Sequence, residues 1–260
     1  EQIKPVEGQG GLYSEDDIVA TIEKCHCELA GALIPSICFH TSQLLDMHKV
    51  NSAFMSKNVL CVWDMAHSVG NVQHSLANDR IICGAGCGYK HLNGLPGGPG
   101  FVYQNASLIR ELSATRGATF LRPTPVCGWL AHGRTHPFDA FPVIDRFSSD
   151  TLQPAESVQR HRASNPEVLA LKVLIANLQV ITQYGVSSIM ELKSALSECL
   201  FTSLDHFFQD EIASGVFKYV TPRDPTKRGA TICFSIAGVD AKQVEKALYS
   251  DKYKLGYKFE

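Results

Sequence analysis

The sequence predicts an α/β domain with a mostly parallel sheet and helices on both sheet faces, followed by the start of a smaller α+β unit. Three observations carry this expectation. Val59-Leu60-Cys61-Val62-Trp63 is an unbroken apolar run without alternation, the pattern of a strand covered on both faces. Short apolar runs alternate with helical stretches through the first part of the chain. Toward the C-terminus the order becomes helix, helix, strand, strand, helix, and a two-stranded sheet is marginal by itself.

The elements follow in order. Ser14 caps a run opening Glu15-Asp16-Asp17 with Ile18, Val19 and Ile22 behind it, which predicts a helix to about Lys24. Leu29 to Pro35 predicts a short buried strand ended by proline. Val59–Trp63, Arg80–Gly84 and Gly100–Tyr103 predict three more strands. The polar, proline-bearing segment from about Thr135 to His161 predicts a long functional loop. Asn165-Pro166 predicts the next helix start, with Asn as cap and an apolar face of Val168, Leu171, Leu174, Ile175, Leu178 and Ile181 ending at Gly185. A capping box at Ser188-x-x-Glu191 predicts a further helix bearing Leu192, Leu196 and Leu200. Phe217–Val220 and Thr231–Ile236 predict an antiparallel pair, and Asp240 precedes a last helix. The expected division is 1–160 for the larger domain, 161–186 for a connecting helix and 187–260 for the smaller unit. Phe207-Phe208, at a helix end, is expected in the core.

Composition excludes several classes. Hydrophobic residues make up 45% of the 260 and charged residues 19%, enough for a sizeable core. The balance of 24 basic and 26 acidic residues lacks the basic footprint of a general nucleic-acid binder. No apolar run reaches the ~18–20 residues of a membrane span, and Glu1 to Pro5 lacks a signal-peptide pattern. Nine cysteines, an odd number, favour reduced thiols and a cytoplasmic setting. Cys83-x-x-x-Cys87 with His91 has spacing that invites zinc, but no fourth ligand follows at sensible spacing, so no metal is expected.

The chemistry sits between Asp64 and Lys90. One strand delivers Asp64 at its carboxyl end, followed by Met65-Ala66-His67-Ser68-Val69-Gly70. A second ends in a glycine-rich turn into Tyr89-Lys90-His91. Ligands of open α/β sheets bind beyond the carboxyl ends of the strands, so Asp64, His67 and Lys90 are placed to share one crevice. Taken singly, such an Asp is usually a helix cap and such a Lys a solvated surface residue. As a set they suit pyridoxal phosphate: a lysine to bind it, a carboxylate to keep its ring nitrogen protonated, an imidazole beside the ring and a tyrosine hydroxyl for its phosphate.

Those two segments resemble the paired signatures of kynureninase, a fold-type I pyridoxal-phosphate enzyme family. The likeness extends to Ile3-Lys4-Pro5, to Pro35–Gln43 with Thr41 and Gln43 kept, to Gly128-Trp129-x-x-His132 and to Ser164-Asn165-Pro166. It runs to about Asp240. The resemblance implies a fold-type I large domain and a pyridoxal 5'-phosphate cofactor carried by Lys90. Asp64 would face the pyridine nitrogen, His67 would pack beside the ring, Tyr89 would bind the phosphate, and Trp129 and Asn165 would complete the shell. It also implies a homodimer and the hydrolysis of L-kynurenine or 3-hydroxykynurenine to L-alanine and the corresponding anthranilate. His40 stands where the family has Tyr, and segments expected upstream and downstream have no counterpart, which implies an incomplete subunit with weak cofactor binding. A non-catalytic relic and a cysteine desulfurase relative are the competing readings. His132 and His136 are further candidates for substrate contact.

Overall fold

The computed structural model describes residues 3–6, 11–116, 131, 155, 157–162 and 164–249. Trp129, His132, His136 and most of the predicted 135–161 loop lie outside the described residues; of that loop, Val158–His161 forms a 3-10 turn.

Helix α1 (Glu15–Cys25) starts as the sequence predicts. Ser14 Oγ accepts the Asp17 N–H, and three acidic side chains occupy the positive end of the helix dipole. Its Ile18 and Ile22 pack with Val50 and Phe54 of α2 (Met47–Ser56), which is capped by Asp46. The chain between them forms β1 (Ala32–Pro35) and a small antiparallel pair, β2 (Ile37–Cys38) and β3 (Gln43–Leu44).

The main sheet has the order β1, β4 (Cys61–Asp64), β5 (Cys83–Cys87), β6 (Gly100–Gln104). The first three strands are mutually parallel and β6 is antiparallel to β5. Cys61 and Trp63 of β4 enter the core under α1 and α2, while Val62 points to the other face against Leu108 and Ile109 of α3 (Ala106–Arg116). The expectation of helices on both faces is met. Two strand expectations need correction. The predicted buried strand at Leu29–Pro35 is an edge strand of alternating exposure, with Leu33 71% exposed. The strand expected from Arg80 starts at Cys83, because Arg80 takes φ +52° and the Ile81 N–H closes a turn onto the Leu76 carbonyl.

Helix α4 (Val168–Tyr184) is capped by Glu167, whose carboxylate accepts the Leu169 and Ala170 N–H groups. Asn165 is therefore not the cap; it lies ahead of the helix and is exposed. Gly185 at φ +79° ends α4 and turns the axis by 84°, so α5 (Val186–Phe207) begins at once and Ser188 falls inside it rather than at a capping box. The predicted apolar faces exist, but Val168, Ile175, Leu178, Leu192, Leu196 and Leu200 remain exposed. After the short α6 (Gln209–Ala213) come the antiparallel β7 (Phe217–Tyr219) and β8 (Phe234–Ile236), then α7 (Ala241–Leu248), capped by Asp240. Phe208 stacks on Phe217 with centroids 5.0 Å apart, whereas Phe207 is 75% exposed and outside the core.

The stretch between β7 and β8 holds the C-terminal unit to the rest. Arg228 is buried, lies over the Phe201 ring at 4.6 Å, and donates to Glu198 Oε1 at 2.9 Å and to the Pro222 and Arg223 carbonyls. The neighbouring Gly229 N–H donates to the Ser42 carbonyl at 2.9 Å.

Candidate active site

Because β4 and β5 are parallel and adjacent, their carboxyl ends open on one edge of the sheet, where Asp64 stands opposite Ala85. Asp64 is exposed, and its Oδ1 accepts the Ala66 N–H at 2.9 Å. The chain then turns tightly. Ser68 and Val69 N–H groups both return to the Met65 carbonyl, and Gly70 adopts φ +79°. A Cβ on Gly70 would lie 2.7 Å from the His91 carbonyl oxygen, so this turn is pressed directly against the turn that carries Lys90.

The two turns meet through their side chains. The Lys90 ammonium donates to His67 Nε2 at 2.8 Å. Phe39, from the β2–β3 connection, stacks on His67 with centroids 6.0 Å apart, and His40 lies against Phe39. Burial first, and then the positive charge of Lys90, hold the His67 imidazole below its usual pKa, while Asp64 pulls it back up. A neutral imidazole is what an ammonium donor requires, since Lys has no acceptor to offer. Tyr89 is exposed, with its ring centroid 5.6 Å from Lys90 Nζ.

Behind the pair, buried Asn71 donates from Nδ2 to the His67 carbonyl at 2.9 Å and faces His91 Nε2 at 3.4 Å. Lys193 of α5 donates to the Asn71 main-chain carbonyl at 2.7 Å. His91 is pushed below the usual imidazole value by burial, then by His67, Lys193 and Lys90. Burial, and secondarily Arg228, lower the Lys193 ammonium. Helix α4 closes the far side: Leu174 methyls sit over Gly88, and Asn177 donates to the Asn93 carbonyl at 2.6 Å.

Of the residues predicted from sequence, Asp64, His67, Tyr89 and Lys90 come to one edge of the sheet. No hydrogen bond among the described residues joins Asn165 to them. Asn71 directly follows the first sequence segment and carries no predicted role, and His91, at the end of the second, enters the sequence reading only through the rejected zinc spacing. Lys193 gave no sequence signal, being 122 residues from Asn71.

No protein-family model matches the chain. The chain is 31% identical to a kynureninase of Myxococcus xanthus over 239 residues and 33% identical to one of Eremothecium gossypii over 237. Each alignment covers about 90% of this chain. It is a relative of the kynureninases. The chain spans about half the length of the curated kynureninases it matches. Among solved structures, it is similar to a cysteine desulfurase of Thermococcus onnurineus NA1 (TM-score 0.68, 15% identity, 95% of this chain and 53% of that one). It is similar also to a ureidoglycine-glyoxylate aminotransferase of Bacillus subtilis (TM-score 0.61, 16% identity, 92% and 53%). These likenesses establish the fold-type I architecture; the kinship with kynureninases comes from sequence.

Proposed function

We propose that this kynureninase relative supplies the lysine-bearing part of a pyridoxal 5'-phosphate site. The reaction it serves is the hydrolytic cleavage of L-kynurenine or 3-hydroxykynurenine to L-alanine and the matching anthranilate, in tryptophan catabolism. The observation that carries this reading is the 2.8 Å contact between Lys90 Nζ and neutral His67 Nε2 at the carboxyl ends of two parallel strands.

The donor set fits the group. Lys90 is the amine that would hold it. Asp64 offers an exposed carboxylate at the carboxyl end of β4 for the ring nitrogen, His67 offers a flat imidazole already stacked on one aromatic ring, and Tyr89 offers a hydroxyl to the phosphate. When bound, the cofactor supplies an electron sink for charge left on the substrate α-carbon. The chain's residues do the rest: Asp64 keeps the ring nitrogen protonated, His67 orients the Lys90 amine through Nε2, and Lys90 Nζ moves the α-proton. Trp129 and Asn165 are assigned to the cofactor shell on the sequence resemblance alone. On the same reading, 1–160 belongs to the large domain, 161–186 connects and 187–260 belongs to the small one, in a cytoplasmic homodimer.

The test is incubation with pyridoxal phosphate, borohydride reduction and peptide mapping. A pyridoxyl label on Lys90 and loss of the visible absorbance in Lys90→Ala are expected. Label on Lys193, which also borders the turn, or on Lys49, which pairs with Asp16 at 2.7 Å, overturns the assignment. L-kynurenine should perturb the absorbance of the loaded chain; no perturbation refutes the substrate and leaves Lys90 standing.

A further inference from the structure

We infer that Lys193 of α5 is a positioning residue for the His67–Lys90 pair, acting through the buried side chain of Asn71; this rests on reading that pair as the cofactor site.

The argument turns on which way the Asn71 amide faces. A primary amide has a donor end and an acceptor end, and a buried one must satisfy both. Lys193 Nζ donates to the Asn71 main-chain oxygen at 2.7 Å and lies 3.4 Å from Oδ1. An ammonium has no acceptor, so the side facing Lys193 must be oxygen. Nδ2 is thereby turned toward the His67 carbonyl at 2.9 Å and toward His91 Nε2 at 3.4 Å. One amide thus holds both the main chain of the residue that accepts from Lys90 and the ring of the residue next to Lys90. The shortest gap between the two turns leaves no room for a single added carbon at Gly70, so a change on one side is transmitted to the other.

A second tie from the same helix points the same way: the Gln73 N–H donates to Met190 Sδ at 3.1 Å. Lys193 itself touches no reacting atom. Arg228 acts on Lys193 itself, Lys193, His67 and Lys90 all act on His91, and Asp64 acts on His67. Arg228, from the stretch between β7 and β8, is paired with Glu198 at 2.9 Å, and Lys193 is the cation that reaches the Asn71 turn from α5.

The experiment uses the full chain without cofactor and follows the imidazole resonances of His67 and His91 against pH. Lys193→Met keeps the aliphatic stem and removes the charge. The His91 midpoint should rise, because a repelling cation is gone, and the His67 resonances should shift as its carbonyl loses a fixed donor. Lys193→Arg should hold both near their original values. A packing role alone would leave the His91 midpoint unmoved in the Met variant, and that result overturns the inference. If the Met variant does not fold by circular dichroism, Asn71→Asp decides. It keeps the shape and the Lys193 partner but loses Nδ2, so His67 should shift; unchanged His67 overturns the inference. In parallel, the rate of trapped pyridoxyl label on Lys90 should fall about tenfold in Lys193→Met, the worth of one charge-assisted hydrogen bond. Absence of any Lys90 label in the unaltered chain would sink the cofactor reading, while the imidazole titration would still decide the role of Lys193.

Discussion

Replacing Gly70 by alanine attacks the closest approach in the site, and the structure lets its effect be split in two. Gly70 has φ +79°, and an alanine there loses about 1–2 kcal/mol from the left-handed backbone alone. Its new Cβ would also meet the His91 carbonyl oxygen at 2.7 Å and carbon at 2.9 Å, both backbone atoms that cannot swing away. Overpacking of that kind adds about 1–3 kcal/mol. Gly97 isolates the first contribution: φ is +74°, and nothing lies within 4 Å of its would-be Cβ. With a urea m-value of about 3 kcal/mol/M, Gly97→Ala should lower the unfolding midpoint by ~0.3–0.7 M and Gly70→Ala by ~0.7–1.7 M. The measurement is equilibrium urea unfolding followed by far-UV circular dichroism on both variants and the parent chain. Equal shifts in the two variants would show that the Asp64 and Lys90 turns are not in contact at His91, and the site geometry would have to be redrawn.

Two further outcomes follow from ionisation. His67, His74, His91 and His161 are all held below the ordinary imidazole value, with burial the largest cause in each. The unfolded chain therefore binds protons more tightly than the folded one. Stability should be full above about pH 6.5 and fall as pH drops below that value toward the lowered folded values. Thermal melts across that range check it, and a flat profile refutes it. Burial raises Cys38 and Cys83 to about 11 and pushes Cys61 up as well, whereas Cys27 and Cys199 are exposed. Iodoacetamide at neutral pH should modify Cys27 and Cys199 well before these three, by peptide mass; early label on Cys61 would contradict the β4 packing.

What the sequence disclosed was local. The Ser14 cap, the helix start after Asp240, the covered strand at β4 and the β7–β8 pair were legible because a cap needs one side chain and a strand one short pattern. The α4 cap was misread because Asn165-Pro166 offers the usual signal, yet Glu167 reaches the first free N–H groups two and three residues on. The capping box at Ser188 failed for a related reason. Gly185 supplies the turn by its backbone, so the helix needs no side chain to start. In the site, Asp64, His67 and Lys90 were legible because strand ends are predictable places. Asn71 and Lys193 were not, since their roles depend on a helix that arrives from far along the chain.

That distance has a bearing on how the site assembles. His67 and Lys90 are 23 residues apart, and β5 with β6 forms a neighbouring hairpin, so this half of the site needs only short loops to close. Lys193 reaches Asn71 across 122 residues. Loop-closure entropy grows as three-halves RT times the logarithm of length, which makes the longer closure about 1.5 kcal/mol harder than the shorter. The lysine and its imidazole are therefore gathered early, as neighbours on a local scaffold. The clamp that fixes their bearing closes the longer loop and so carries the larger entropic cost of the two.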